Sequence, residues 1–354
     1  VTIQENVPLA PYTTLGVGGP ARWYARIDRQ HQLLSALSFA HARRLPIFIL
    51  GGGSNLLVAD AGFPGLVIHA AFGDISRVDP DRYHLDPTTH HICVHAGISW
   101  DDFVLGVCRQ GISGVECLAG IPGLVGGSPI QNIGAYGQEA ADTIAGLTAL
   151  DLETLTEVTL DREACRFAYR SSIFNTTHRN RYIITAVDFQ FDPDARPNLS
   201  YADVARHFAG SKTPPTPVEV YAAVREIRSR KGMLLVEGDP DTQSAGSFFK
   251  NPIIEQSAVE QIAAKLEIPL SEIPQWPAGE EAVKLSAAWL IERAGFHRGF
   301  HLGRAGISTK HTLALVNLGN ATAAEIVTLR DAIVDAVQLR FAISLEQEPV
   351  MLGF

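Results

Sequence analysis

The sequence predicts an α+β protein made of more than one folding unit. Three observations carry that prediction: an amphipathic helix followed at once by a buried strand near the start, a run of short strands over residues 145–190, and a proline-rich break at 210–217 that leads into a helix-rich end. With 354 residues, 46% hydrophobic and 19% charged, the chain can fill two or three cores at about 100–200 residues per domain.

The elements follow in order. His31 to Arg44 sets Leu33, Leu34, Leu37 and Ala40 at helical spacing. Pro46 to Leu50 (PIFIL) is a short buried strand that runs into a glycine cluster, and Leu66 to His69 and His91 to His95 are strands. Helix followed by strand favours an α/β beginning. Leu147 to Leu152, Glu157 to Leu160 and Ile183 to Phe191 are strands of a second, mixed unit, with a helical crossover near Asp161 to Cys165. In GSKTPPTP (210–217) the Pro-Pro pair cannot continue a helix, so the next helix starts at Pro217 and runs to Arg230. Gly232 to Gln243, which contains GDPD, is a loop. Ala282 to Ala294 and Ala324 to Phe341 are helices. The second places Ile326, Leu329, Ile333, Val337 and Phe341 on one stripe, and Thr322 with Glu325 has capping-box spacing. Such stripes are packing surfaces before they are cofactor contacts.

Composition excludes several classes. A net charge of −9 with no Lys/Arg tract gives nucleic acid nothing with which to release counterions. Cys93, Cys108, Cys117 and Cys165 form no CxxC and no zinc spacing, so no metal is expected and the thiols are expected to be reduced and mostly buried. Val1 to Leu15 is too polar for a signal peptide, and no apolar run reaches the roughly 18–20 residues of a membrane span. A cytoplasmic protein is expected, and the N-x-S/T sites at Asn175, Asn198 and Asn320 are then chance matches.

Two glycine-rich segments can carry chemistry: Gly51-Gly52-Gly53-Ser54-Asn55, and Gly120 to Ser128 (GIPGLVGGS). Glycine lets backbone N–H groups converge on an anion and supplies positive φ. The first is not a Rossmann fingerprint, because the sixth position is Leu56 and Leu57 to Val67 reads as turn and strand. Gly210-Ser211-Lys212-Thr213 lacks P-loop spacing. Either cluster alone is as readily a tight turn; the pair points to a phosphate-bearing cofactor. Four further segments hold reactive side chains: FAYRSSIF (167–174) with Arg170, RSRK (228–231), SAGSFFKNP (244–252) with Ser247, and LEQEPV (345–350) with Glu348. Singly, each is a surface ion pair, a helix-end cation, a turn serine or a loop-end acid. Ser247 has no GxSxG elbow, so a serine hydrolase is not supported.

Taken together and in this order, these segments resemble the UDP-N-acetylenolpyruvoylglucosamine reductases. The resemblance runs through TTLGVGG (13–19), LGGGSNLLV (50–58), IPGLVGGSPIQNIGAYGQE (121–139), YRSSIF (169–174), AGSFFKNP (245–252), AAWLIERAG (287–295) and LEQEPV (345–350), essentially the whole chain. It implies a three-domain FAD-binding flavoprotein of the vanillyl-alcohol-oxidase type with a C-terminal α+β substrate domain: domain 1 over 1–71 plus 349–354, domain 2 over 72–232, and the substrate domain over 233–348. Non-covalent FAD is expected on Gly51, Gly52, Gly53, Ser54, Asn55, Gly120, Gly123, Ser128, Ile133 and Gly134, with NADPH as hydride donor.

The resemblance also implies the chemistry. Hydride passes by way of FAD to the vinyl carbon of a UDP-sugar enolpyruvyl ether. Arg170 and Glu348 stand at the reacting centre, Ser247 gives the proton, and Tyr169, Tyr201, Lys231 and Asn251 bind substrate. Tyr201 in LSYAD (199–203) resembles the loop tyrosine of one branch of the family. The chain departs from the pattern in a longer stretch between Lys231 and Ser247, in Pro349 where others have valine, and in His311 where some members have glutamine. Glu346 is the alternative register for Glu348. An FAD oxidase of the same fold, or a flavin- or nucleotide-sugar-binding module without turnover, are the competing readings.

Overall fold

In the computed structural model, which describes residues 1–71 and 90–354, the early part folds as a parallel strand–helix–strand unit. The start of the expected second domain, 72–89, lies outside the described residues. Strands Pro20–Ile27 and Ile47–Leu50 both run parallel to Phe63–Ala70, which lies between them. The helix Gln30–Arg43 crosses over from the first to the second and buries Leu33, Ala36, Leu37 and Ala40. The expected stripe is corrected at one position: Leu34 is 43% exposed and Ala36 takes the inner place, because the 3.6-residue period favours i, i+3, i+4, i+7. Arg44 then ends the helix in the left-handed region (φ 53°).

The second sheet is antiparallel, in the order Thr156–Asp161, Ile144–Asp151, Tyr182–Gln190, His91–His95. Asp161 ends its first strand and caps the short helix Arg162–Cys165 by accepting the N–H of Ala164 at 2.7 Å. Pro217–Arg230 is a helix with Pro217 in its first turn, and Thr216 and Glu219 close a reciprocal capping box. The core of this part is aromatic, with Trp100, Phe103 and Phe189 each no more than 1% exposed.

The C-terminal part holds the helices Gln256–Leu266, Ala287–Arg293 and Ala323–Phe341. The last buries Ile326, Leu329, Ile333, Val337 and Phe341, the stripe read from the sequence, with the Thr322–Glu325 box at its start. The expected helix over 282–294 is corrected: Ala282–Leu285 is a strand between Ile253–Glu255 and Gln275–Pro277, and the helix begins only after Ser286. The polar loop 232–243 has a purpose. Asp239 and Asp241 fasten Lys310 and Thr309, with Lys310 Nζ 2.8 Å from Asp239 Oδ2.

Contacts divide the chain into two units, Val1–Val7 with Pro20–Gly53 and Phe63–Leu234, and Pro8–Gly19 with Ser54–Gly62 and Leu235–Phe354. All four cysteines are free; Cys108, Cys117 and Cys165 are buried, whereas Cys93 is exposed. Among the described residues no helix is long and apolar enough to cross a membrane, and no His/Cys/Asp/Glu group could hold a metal.

Candidate functional site

In the first unit the two glycine segments, some seventy positions apart in sequence, meet. A Cβ on Gly52 would lie 2.7 Å from the Cα of Gly123, so the two backbones touch where no side chain fits. Gly53, Gly120 and Gly123 have φ of 60°, 70° and 131°, closed to most L residues. Beside Gly51 and Gly127 the space is open, with nothing within 4 Å of an added Cβ. This is a cradle of main chain with room in front of it, and it fits the diphosphate of a dinucleotide.

Several residues that the sequence reading missed hold the second loop. Asp101 accepts the N–H of Gly120 at 2.6 Å and is itself gripped by Tyr221 and Arg225. Trp100 donates its main-chain N–H to the carbonyl of Gly123 at 3.0 Å. Ser128 is 1% exposed and donates its hydroxyl to the carbonyl of Val125 at 2.7 Å, so that hydroxyl is spent within the loop. The N–H of Ile133 donates to the carbonyl of Ser128 at 3.1 Å. Arg228, from the RSRK segment, is buried behind Gly120; burial pushes its pKa down, and its Nε has no partner.

Past this loop, GAYGQE folds into a tight hairpin, Gly134–Ala135 against Gln138–Glu139. Tyr136 and Gly137 turn it with φ of 49° and 82°, the two positive values of the turn that suits hairpin twist. The guanidinium of Arg170 lies on this hairpin: Nη2 donates to the carbonyl of Gly134 at 2.7 Å and Nη1 to that of Asn132 at 3.4 Å. A Cβ on Gly134 would lie 2.9 Å from the carbonyl oxygen of Gln138 and 3.0 Å from Nη1, so backbone and guanidinium together exclude a side chain there. Tyr169 and Arg170 form the corner of a turn closed by Ala168 and Ser171, and Arg170 has φ 52°. A left-handed arginine costs about 1–2 kcal/mol, and such strain collects at functional positions.

The hairpin tip carries a second cluster. Tyr201, 41% exposed, packs edge-on against Tyr136 with ring centroids 5.1 Å apart. The ammonium of Lys231 lies 5.5 Å from the Tyr136 ring and 5.8 Å from the Tyr201 ring, and pairs with Asp203. Burial works against this ammonium, but the hydrogen bond to Asp203 and the two phenol rings outweigh it and raise its pKa. Glu116, fully buried, accepts from Gln138 at 2.9 Å and from the N–H of Asn198 at 2.8 Å. It thereby holds hairpin and tyrosine loop to one point.

The second unit assembles the remaining candidates. Phe249 pairs antiparallel with Gln347, the N–H of Glu348 donates to the carbonyl of Phe248 at 2.8 Å, and the N–H of Lys250 donates to that of Glu346 at 2.9 Å. This register sets Glu348 opposite Phe248, one residue along from Ser247. Glu346 falls opposite Lys250 and pairs with its ammonium at 3.0 Å. Asn55 grips the same strand, donating Nδ2 to the carbonyl of Glu348 at 3.2 Å and accepting the N–H of Val350 at 3.0 Å. Thr14, in the TTLGVGG segment, donates to the carbonyls of Ser54 at 3.4 Å and Ser244 at 2.6 Å. Asn251 uses Oδ1 to accept the N–H of Ala287 at the start of a helix, at 2.9 Å, leaving Nδ2 as its donor. His311 accepts the N–H of Leu313 on Nδ1 at 3.2 Å.

The parallel strand–helix–strand opening and the main-chain cradle are those of an FAD-binding oxidoreductase, the class that the comparisons with known proteins show. Residues 21–159 match the family model of an FAD-binding domain, and residues 239–352 that of the UDP-N-acetylenolpyruvoylglucosamine reductase C-terminal domain. UDP-N-acetylenolpyruvoylglucosamine reductase of Thermobifida fusca is 44% identical over 99% of this chain and 98% of its own length. That of Streptomyces coelicolor is 41% identical over 99% and 91%. The crystal structure of the Thermus caldophilus reductase superposes with a TM-score of 0.66 at 27% identity, covering 99% of this chain and 100% of that one. The chain belongs to the UDP-N-acetylenolpyruvoylglucosamine reductase family.

Proposed function

We propose that the chain reduces the enolpyruvyl group of UDP-N-acetylglucosamine-enolpyruvate to UDP-N-acetylmuramate, in peptidoglycan precursor synthesis in the cytoplasm, with Arg170, Ser247 and Glu348 as catalytic residues. The observation that supports this assignment is the ladder that ties the stretch after Ser247 to the strand of Glu348 and turns Glu346 to Lys250. We divide the chain as its resemblance implies, with the substrate domain over 233–348; the unit break after Leu234 and the family match from 239 support where that domain begins.

When bound, FAD would supply hydride-carrier chemistry between NADPH and the vinyl carbon of the ether. Gly51, Gly52, Gly53, Ser54, Asn55, Gly120, Gly123, Ser128, Ile133 and Gly134 would hold it, largely through main chain. As hydride arrives, negative charge grows toward the substrate carboxylate, and the guanidinium of Arg170, already fixed on two carbonyls, stabilises that charge without having to reorganise. Ser247 gives its proton to the adjacent carbon, a step that needs neighbours able to support the alkoxide; Glu348 stands at the same centre. Lys231 and Tyr201 bind the diphosphate, which replaces the carboxylate of Asp203 on the ammonium. Tyr169 and the Nδ2 of Asn251 complete the substrate contacts.

The test is anaerobic NADPH oxidation by the FAD-loaded protein with and without the enolpyruvyl substrate. Oxidation that depends on substrate and yields UDP-N-acetylmuramate is expected. A flavin that is reduced but ignores substrate would favour the oxidase reading, and no reduction by folded protein would favour a binding module.

A further inference from the structure

The arginine that the mechanism depends on occupies the least favourable backbone position of its segment, and two side chains outside the catalytic set hold it there. Asn132 is 1% exposed and uses every hydrogen-bonding group of its amide. Oδ1 accepts the N–H of Ala141 at 2.9 Å, while Nδ2 donates to Glu139 at 2.7 Å and to the carbonyl of Ala168 at 3.1 Å. Ala168 opens the turn whose corner is Arg170. From the other side Asn175 donates Nδ2 to the carbonyl of Arg170 itself at 3.1 Å, and its Oδ1 accepts the N–H of Ser172 at 2.9 Å. The main-chain carbonyl of Asn132 is also one of the two that carry the guanidinium. Backbone, side-chain amide and guanidinium are thus closed into one network. Only an amide fits either position, because each asparagine must accept with one atom and donate with the other.

We infer that Asn132 and Asn175 are positioning residues for Arg170, clamping its left-handed turn so that the guanidinium points in one direction; the inference rests on the catalytic reading of Arg170. In this role each acts through the turn that carries Arg170. It also explains Asn175, which as a glycosylation sequon carried no meaning: its amide is committed inside the turn.

Asn132→Asp and Asn175→Asp test the inference, since each keeps size and acceptor, removes the donor and turns a carboxylate oxygen toward a carbonyl. Each variant is expected to slow flavin reoxidation by the enolpyruvyl substrate about 10- to 100-fold, because misplacement of about 1 Å costs that much. Flavin reduction by NADPH should stay within about twofold of the parent. In FAD-free protein, the side-chain ¹⁵N signals of Arg170, assigned by their loss in Arg170→Lys, should pass from restricted to free rotation. Two half-reactions slowed alike, or two left unchanged, would overturn the inference. Should Asn132→Asp fail to fold because its new carboxylate faces Glu139, Asn175→Asp decides alone. Arg170→Ala separates the two levels. If it spares reoxidation, the catalytic reading of Arg170 fails; if it abolishes reoxidation while both asparagine variants match the parent, the positioning inference alone fails.

Discussion

Arg170 and Ser247 are presented by opposite means. Ser247 opens a stretch that main-chain bonds hold on both sides: Phe248 donates to Leu313 at 2.7 Å, accepts from Glu348 at 2.8 Å, and Lys250 donates to Glu346 at 2.9 Å. Nothing in that arrangement depends on which side chain sits at 247. Arg170 sits instead on a four-residue turn in a left-handed conformation (φ 52°), pinned by side-chain amides and by its own guanidinium. A ladder fixes a Cα and leaves the side chain to be changed at little structural cost. A strained corner makes position and side chain one problem. Substitutions in the two regions should therefore fail differently.

The largest effect is expected at the ladder. Ser247→Ala should lower the rate of flavin reoxidation by substrate about 10²- to 10⁴-fold, the range of a lost general acid, while flavin reduction by NADPH and the melting temperature hold. Stopped-flow absorbance of each half-reaction reads this, and equal slowing of both would break the proton-donor role. At the corner, Arg170→Lys should cost about 10²- to 10³-fold in the same half-reaction, since an ammonium cannot span two carbonyls and the reacting charge as a guanidinium does. Recovery of full activity in Arg170→Lys would mean that charge alone matters and that the turn is incidental.

The main-chain cradle sharpens the comparison from a third side, because there the absence of a side chain is what counts. Gly52→Ala puts a methyl 2.7 Å from the Cα of Gly123, and backbone cannot swing aside as a side-chain tip can. Overpacking of this kind costs about 1–3 kcal/mol. FAD content after gel filtration should fall and the melting temperature of the loaded protein with it. An unchanged flavin content would show that the loops do not approach this closely where the cofactor binds.

Periodic features were legible in the sequence. The stripe from Ile326 to Phe341, the Thr322–Glu325 box and the start at Pro217 follow from spacing alone, and packing bears each of them out. The helix expected over 282–294 was misjudged because Val283 and Leu285 alternate as strand residues while Ala287, Leu290 and Ile291 repeat as helix residues. The apolar content runs unbroken through both. Ser286, whose hydroxyl caps the helix by accepting from Trp289 at 3.3 Å, was the boundary mark. The supports of the candidate site were not legible. Asp101 reaches Gly120 and Glu116 reaches Asn198, across separations at which no local rule operates. Nor does any composition announce that an arginine will take φ 52°. Resemblance supplied the proposed reacting groups; the groups proposed to aim them are visible only in the fold.

The smallest expected effect decides the register of the terminal acids. Glu346 and Glu348 stand two apart, so on an extended strand both point to the same side and spacing cannot choose between them. The ladder favours the proposed choice of Glu348: Glu346 meets Lys250, with its side chain 73% exposed and the lysine 31%, a solvated pair of little weight. Glu346→Gln should therefore leave both half-reactions within about twofold of the parent. Glu348→Gln, with the same loss of charge on the same strand, should depress reoxidation by substrate about 10²-fold or more. The reverse pattern would mean that the strand slides by one side-chain repeat in the working enzyme. Asn55 would then lose the carbonyl of Glu348 as its partner, a shift that Asn55→Ala should mimic.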